Sequence, residues 1–437
     1  MLNKESRICM NNLLQKYQSA AGQFNYALFL LVVALLPFPQ IFLRYTCVAW
    51  ICAWFLEGRW LSKPNWQDWR KMLPFFMFGG WYLWKIISGL WVDNLHAYSW
   101  QLERYMAFGL LIPVGIWGVN KCYNWKHVCI VLASSCVLAV GVYVFTLFWV
   151  ENANFVNQPL GTVRIQPLTS EFFANKISFI KHRLFLCSVE MMGIMSLLYL
   201  RKDILNKLGK VKGWILIILA IAIMITLILI TGSRASIVSG TALLSVWALY
   251  KLPIRRVRYK IAFLFVACGL GLFALSQHPR MENFDYEQLL SIRDTNQKHN
   301  VRINIWGTAL DTPQDYSLYG LGAGQSIPYL RKKYEDLGLL QYARITYASH
   351  NQYLAEWMEL GIPGLIFFIL AWVSIPWCTQ KRARKSAMML FTLYALNMLT
   401  DCMWGMFDGI ALWCVWMVLI RLQADTQTDQ QTTRDAQ

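Results

Sequence analysis

Charge is what this sequence is poorest in for its size. Asp, Glu, Lys and Arg make up 15% of its 437 residues, against roughly a quarter in soluble domains. So small a share excludes an ordinary soluble fold. Acidic residues are the scarcer sign, 24 against 41 basic. The eleven cysteines include no CxxC and no Cys/His cluster, and none of them falls in the long polar stretch that follows residue 277. A zinc module or a disulfide scaffold is thereby excluded; Cys129, Cys136, Cys187 and Cys268 sit in apolar runs and read as small buried hydrophobes. The alternating segments of about ten residues that build a membrane barrel are missing. A cleavable signal peptide is not expected, because Ser19, Ala20 and Ala21 precede the first apolar run instead of following it.

What is present is apolar. Hydrophobic residues reach 57% and aromatics 15%. Runs of about 17–22 apolar residues recur, long enough to cross a hydrocarbon core of ~30 Å. They predict an all-α polytopic membrane protein with about twelve spans, at 25–43, 45–56, 73–92, 104–119, 127–150, 184–200, 212–231, 235–250, 260–276, 362–379, 385–400 and 406–421. Pro37 and Pro39 interrupt the end of the first.

The net charge of +17 first suggests an acidic partner such as nucleic acid. Its distribution argues otherwise. With the N-terminus placed inside, every short inside connection is basic, from Arg59, Lys63, Arg70 and Lys71 to Lys381, Arg382, Arg384 and Lys385. Cytoplasmic loops collect such charge, so most of it sets orientation and the nucleic-acid reading fails.

Two outside connections are long, at about 151–183 and 277–350. The second, between spans nine and ten, has local pattern. NVRINIWGTALDTP predicts a short helix with Ile303, Trp306 and Leu310 on one face, LYGLGAGQ a glycine-rich turn, and SIPYLRKKYEDLGL a second helix. The predicted organisation is residues 1–276 with spans one to nine, 277–361 as a large outer loop, 362–421 as spans ten to twelve, and 422–437 as a polar, disordered tail.

Several residues carry chemistry. In YASHNQYLAEWMELGIPG, Ser349 is a good N-cap, which would put His350 in a first helical turn, where the dipole disfavours imidazolium. A neutral histidine there is a competent general base; a polar interfacial cap is the blander alternative. Gly361 reads as the residue that ends this short helix and Pro363 as the start of the membrane span. Arg234, in TGSRAS, sits in a tight outer turn, either snorkelling to headgroups or clamping an anion with Ser233 and backbone N–H groups. Arg302 is four residues before Trp306, a solvated charge or a second clamp. Gly322 and Gly324 let backbone approach a substrate or merely turn the chain. Lys85 lies mid-span, in a functional role or a buried pair. His182 and Arg183 sit where the first long loop re-enters the membrane, and Asp401 and Asp408 flank the last outer turn. Asp285 and Glu287 form an isolated DxE, so no metal site is expected.

Together these stretches resemble a known family. HNxxLxxxxELGIPG (His350, Asn351, Leu354, Glu359, Gly361, Gly364), GSRA (Gly232 to Ala235), RxxxW (Arg302, Trp306) and GLGAG (Gly320 to Gly324) are similar to the pattern of the O-antigen ligase and polymerase superfamily, over about residues 184–420. The resemblance implies a GT-C-type glycosyltransferase of the Gram-negative inner membrane, with both termini cytoplasmic and the site on the periplasmic face. It implies a donor O-polysaccharide on undecaprenyl pyrophosphate, a lipid A core acceptor, surrounding membrane lipids, and no cofactor. Under it His350 is the general base, Arg234 and Arg302 hold the pyrophosphate, and Ser233, Gly322, Gly324, Asn351, Arg183 and Lys85 are further candidates for substrate contact. Polymerases of the superfamily often carry R-x10-G in two outer loops. Here only Arg104 to Gly115 has that spacing, and it runs into a predicted span. The single large late loop with its histidine looks more like a ligase; a polymerase and a protein O-oligosaccharyltransferase are the alternatives. A twelve-helix secondary transporter would show repeated halves and midplane charges, and no such repeat is visible.

Overall fold

A computed structural model describes residues 4–61, 64, 66, 69–156, 181–231, 233–251, 259, 262, 265–266, 269, 301–345, 348–381 and 383–425, with backbone only at 4–16, 147–156, 234, 248–251 and 301. Most of the ninth predicted span, most of the first long loop, Gly232, Asp285, Glu287 and nearly all of the tail lie outside the described residues.

The described residues form helices without strands. In chain order these are α1 (Lys4–Leu35), α2 (Gln40–Leu56), α3 (Trp69–Ile87), α4 (Leu95–Trp117), α5 (Trp125–Val156), α6 (Arg183–Leu208), α7 (Lys210–Thr231) and α8 (Arg234–Lys251). Three short helices of the late loop follow: α9 (Val301–Leu310), α10 (Ser326–Asp336) and α11 (Leu340–Ile345). The chain ends in α12 (Gln352–Cys378), α13 (Arg384–Met398) and α14 (Phe407–Asp425).

Six of these, within α1, α5, α6, α7, α12 and α14, are long and apolar enough to cross a membrane. Helices also stand over predicted spans two, three, four, eight and eleven, but they are shorter or carry charge, so length and composition do not mark them as crossings. The protein is an all-helical polytopic membrane protein. A helix is the form such runs must take, because hydrocarbon offers no partner for backbone N–H and C=O groups.

Several boundaries differ from the sequence expectation, and two have a clear local reason. The first predicted span ran through to 43, but α1 ends at Leu35 and α2 starts at Gln40. Pro37 and Pro39 fall in the connection, where their missing N–H costs nothing. Helix α4 starts at Leu95, where Asn94 accepts from Ala97 N at 3.0 Å. The segment before Gly361 is helical from Gln352, in keeping with the short helix expected there, and it runs into the membrane span across a break at Gly361. Helix α4 extends outward through polar residues that an apolar window does not register.

At the centre, α3 packs on α12 and α4, and α12 packs on α13. Their core is aromatic. Trp404 lies 4.4 Å from Phe108 and 5.0 Å from Trp81, centroid to centroid, with Phe78, Phe368, Trp372 and Trp413 around them. Such clusters bury large area in fixed geometry and stiffen what stands on them.

Helix α12 is broken at Gly361 (φ 66°, ψ −169°). Pro363 has no N–H for the Glu359 carbonyl, and Ile362 N donates to Ser317 O instead of Met358 O. The glycine-rich turn repairs both losses: Leu321 N donates to Met358 O and Gly322 N to Glu359 O, each at 2.8 Å. Trp84 Nε1 takes the Leu360 carbonyl at 3.2 Å. The approach is close enough that a Cβ on Gly320 would lie 2.3 Å from Glu359 O. The break therefore docks the late loop onto the membrane helices at a fixed place.

Candidate functional site

Above the aromatic core lies a cavity of about 460 Å³. One wall is the outer end of α4, with His96, Ala97, Trp100, Gln101, Arg104 and Tyr105. The facing wall is the first half of α12 and the residues before it, with Ser349, His350, Gln352, Ala355, Glu356 and Glu359. Gly324, Ser326, Ile327 and Pro328 close one side, His182 and Phe185 at the start of α6 another, and Asp401, Cys402, Gly405 and Met406 of the α13–α14 connection a third.

His350 stands on strained backbone. Its φ of 46° is the one positive value among described non-glycine residues. The left-handed region costs an L-residue of this kind about 1–2 kcal/mol. The cap of α12 explains the geometry. Asn351, not Ser349, is the N-cap, accepting from Leu354 N at 3.0 Å. Ser349 Oγ donates to Asn351 O at 3.0 Å, and Trp306 Nε1 of α9 donates to Ser349 O at 2.8 Å. His350 thus precedes the helix and is not in its first turn, which corrects the sequence expectation. Both Ser and Asn cap helices well, and the preceding turn decides between them.

Asp401 pairs with His350, its Oδ1 lying 3.2 Å from His350 Nδ1. The same oxygen accepts from Cys402 N at 2.9 Å. Burial pushes the Asp401 carboxyl up, but the His350 hydrogen bond, the charges of His350 and His182, and Cys402 N–H together hold it below its ordinary value. With Asp401 ionised, His350 donates through Nδ1, and Nε2 is the nitrogen that carries the lone pair. His182, on the same cavity, is shifted down from its ordinary value, first by burial, with Asp401 opposing.

The cavity floor is a buried ionic cluster. Lys85, fully buried, lies 2.8 Å from Glu359 Oε2 and 3.4 Å from Glu356 Oε2. Ser326 Oγ donates to Glu359 at 2.8 Å, Trp81 Nε1 to Glu356 at 3.0 Å, and Gln352 Nε2 to Glu356 at 2.7 Å. The Lys85 ammonium also faces the Tyr105 ring at 4.7 Å. Lys85 supports the floor from below and does not line the cavity.

The other residues singled out in the sequence are dispersed. Gly324 lines the cavity, whereas Gly322 is spent on the Glu359 carbonyl. Asn351 is the cap. Ser233 is buried, with its Oγ 2.8 Å from Ser236 Oγ. Arg183 opens α6 beside His182 and is not among the lining residues. Arg302 is exposed on α9, one turn before Trp306, and is not among them either. Arg234 opens α8, and its side chain is not among those described.

Among the lining residues not assigned a role from sequence are His96, Gln101, Arg104 and Asp401. A signal existed for the first three, since they recur at roughly helical spacing at the start of a predicted span. Asp401 was visible as an outer-turn carboxylate, but its partner was not. Among the described residues no group of three His, Cys, Asp or Glu side chains is arranged to hold a metal ion.

No curated protein matches the chain. A family model described as O-antigen ligase matches residues 219–369, from within α7 to within α12. That stretch carries Arg234, Arg302, the glycine-rich turn, His350 and the broken helix, and the match supports membership of the O-antigen ligase/polymerase superfamily.

Proposed function

We propose that this protein is an O-antigen ligase, a GT-C-type glycosyltransferase with about twelve membrane crossings, cytoplasmic termini and a periplasmic site. It transfers O-polysaccharide from undecaprenyl pyrophosphate to a hydroxyl of the lipid A core. The observation that carries the reading is the His350–Asp401 pair on the wall of a cavity between a large loop and the membrane helices, in a chain of this superfamily.

The chemistry is one displacement. His350 Nε2 takes the proton of the acceptor hydroxyl as its oxygen attacks the anomeric carbon. The new C–O bond forms as the bond from that carbon to the phosphate oxygen breaks, and undecaprenyl pyrophosphate leaves with the electron pair. Attack opposite the leaving group inverts the anomeric centre. Asp401 holds the ring and stabilises the imidazolium that forms, as a buried carboxylate does for a catalytic histidine. Arg234 and Arg302 supply positive charge to the leaving diphosphate. Trp306, one turn from Arg302, donates to the Ser349 carbonyl beside His350, so the Arg302 helix is tied to the segment that carries the base.

Gene disruption followed by lipopolysaccharide electrophoresis tests the reading. Core lipid without a ladder, together with accumulated lipid-linked polymer, is expected. Core bearing a single repeat would instead identify a polymerase. Transfer by purified protein in detergent excludes a transporter, and it should persist in excess EDTA; a strict need for Mg²⁺ or Mn²⁺ would overturn the arginine-based account.

A further inference from the structure

Helix α4 turns one face to the cavity opposite His350: His96, Trp100 and Arg104 at four-residue spacing, with Ala97, Gln101 and Tyr105 beside them. Arg104 is the one described lining residue with a permanent positive charge. Its guanidinium carbon lies 3.7 Å from the centroid of the Trp100 ring, and Nη1 donates to the Gly405 carbonyl at 2.5 Å. A guanidinium stacked flat on an indole keeps its edge of N–H donors in a fixed plane.

The carboxylates of this cavity are committed to other cations. Glu356 and Glu359 lie against Lys85, and Asp401 against His350. Arg104 makes no ion pair with any of them. Half-buried charge at the edge of hydrocarbon is costly without an opposite charge, and intramembrane arginines usually face a pathway or a ligand. Trp100 itself remains 51% exposed, which leaves this end of the face open to an incoming molecule.

We propose that Arg104, held flat by Trp100 and anchored on the Gly405 carbonyl, binds a phosphate group of a substrate in the cavity. The planar fork matches two phosphate oxygens. Two sources share this chemistry: the diphosphate of the lipid-linked donor, and a phosphate ester on the acceptor saccharide. This inference rests on the glycosyltransferase reading for its choice of substrates, though not for the presence of a phosphate site. Gly405 belongs to the connection that carries Asp401, so a phosphate on Arg104 would share the cavity with the His350–Asp401 pair.

The test is binding to the purified, detergent-solubilised protein. Farnesyl diphosphate, inorganic pyrophosphate and glucose 6-phosphate are the probes, with glucose as the neutral control. Wild type should bind at least one phosphate probe and not glucose. Arg104→Gln should weaken that binding about tenfold or more, as expected for loss of a charged hydrogen-bond donor. Arg104→Lys should fall between, and Trp100→Leu should weaken binding less than Arg104→Gln. Loss confined to the diphosphates marks the donor side, and loss confined to the sugar phosphate marks the acceptor side. Unchanged affinity in a folded Arg104→Gln or Arg104→Lys protein would overturn the proposal and leave Arg104 as a tie to the Gly405 connection. Wild type that binds none of the probes would also overturn it. Arg104-dependent phosphate binding by a protein that transfers no glycan would retain this inference and remove the ligase reading.

Discussion

His350 Nδ1 and Asp401 Oδ1 meet at 3.2 Å although the two residues are 51 apart in the chain. One stands in the turn before α12 and the other in the connection between α13 and α14. The pairing fixes the tautomer and aims the second nitrogen of a histidine whose backbone is itself strained.

Replacing His350 by Ala should lower transfer about 10²–10⁴-fold, the usual worth of a positioned general base. His350→Asn is the control for folding, because Asn tolerates the left-handed backbone that His350 occupies. Transfer assayed on lipid A core at equal protein level decides the matter. Near-normal rates in either variant would remove His350 from the mechanism.

Asp401→Asn should reduce transfer about 10²-fold or more, since the neutral amide no longer selects the Nδ1–H tautomer or stabilises imidazolium. The pH dependence has a definite sign. A folded carboxyl value held below the ordinary one gives stability that is fully present above about pH 4 and is lost as pH falls through the lower folded value. The difference in melting temperature between wild type and Asp401→Asn should therefore not shrink from pH 8 to pH 5, and should shrink below pH 4. A difference that disappears between pH 7 and pH 5 would contradict an ionised Asp401 in the folded protein.

Lys85→Met should destabilise the protein by about 3–5 kcal/mol, because it leaves Glu356 and Glu359 buried and uncompensated. Adding Glu359→Gln should restore part of that loss, since the sites are directly coupled. Unfolding in detergent, monitored by fluorescence, reads both. A Lys85→Met protein of normal stability that fails only in substrate binding would instead make Lys85 a substrate contact.

Gly361→Ala should cost more than Gly338→Ala. Both glycines have positive φ, 66° and 71°. A Cβ at Gly361 would lie 2.5 Å from the Leu318 carbonyl oxygen, whereas at Gly338 it meets nothing within 4 Å. Gly338→Ala carries only the backbone strain of about 1–2 kcal/mol, and Gly361→Ala must also push the glycine-rich turn off α12. Proteolysis of the late loop should accelerate in Gly361→Ala alone. Equal protection in the two variants would refute the docking role of the break.

Much of the fold was legible because it is local. An apolar run has to satisfy its own backbone groups, so the membrane helices of α5, α6 and α7 follow from composition. The joint at Gly361 and Pro363 was legible for the same kind of reason: one residue favours positive φ and the other lacks an N–H. The outer end of α4 was not. Its polar residues face a cavity, and an apolar window reads them as loop. The cap of α12 was misplaced by two residues because Ser349 and Asn351 are both good caps, and the choice is made by Trp306 and the turn, from another helix.

By itself the sequence determined that this is a helical membrane protein, and it pointed to the segment around His350 as the place to look for the proposed chemistry. The tertiary structure decided which groups meet. It gave His350 its carboxylate, gave Lys85 two partners on α12, and turned Arg104, first noticed only for its spacing to Gly115, into the cation of the cavity wall. Pairings of this kind depend on helix rotation and on crossings between segments hundreds of residues apart. No periodicity along one chain records them, because each helix is chosen by its own hydrogen bonds while each contact is chosen by the packing of several helices at once.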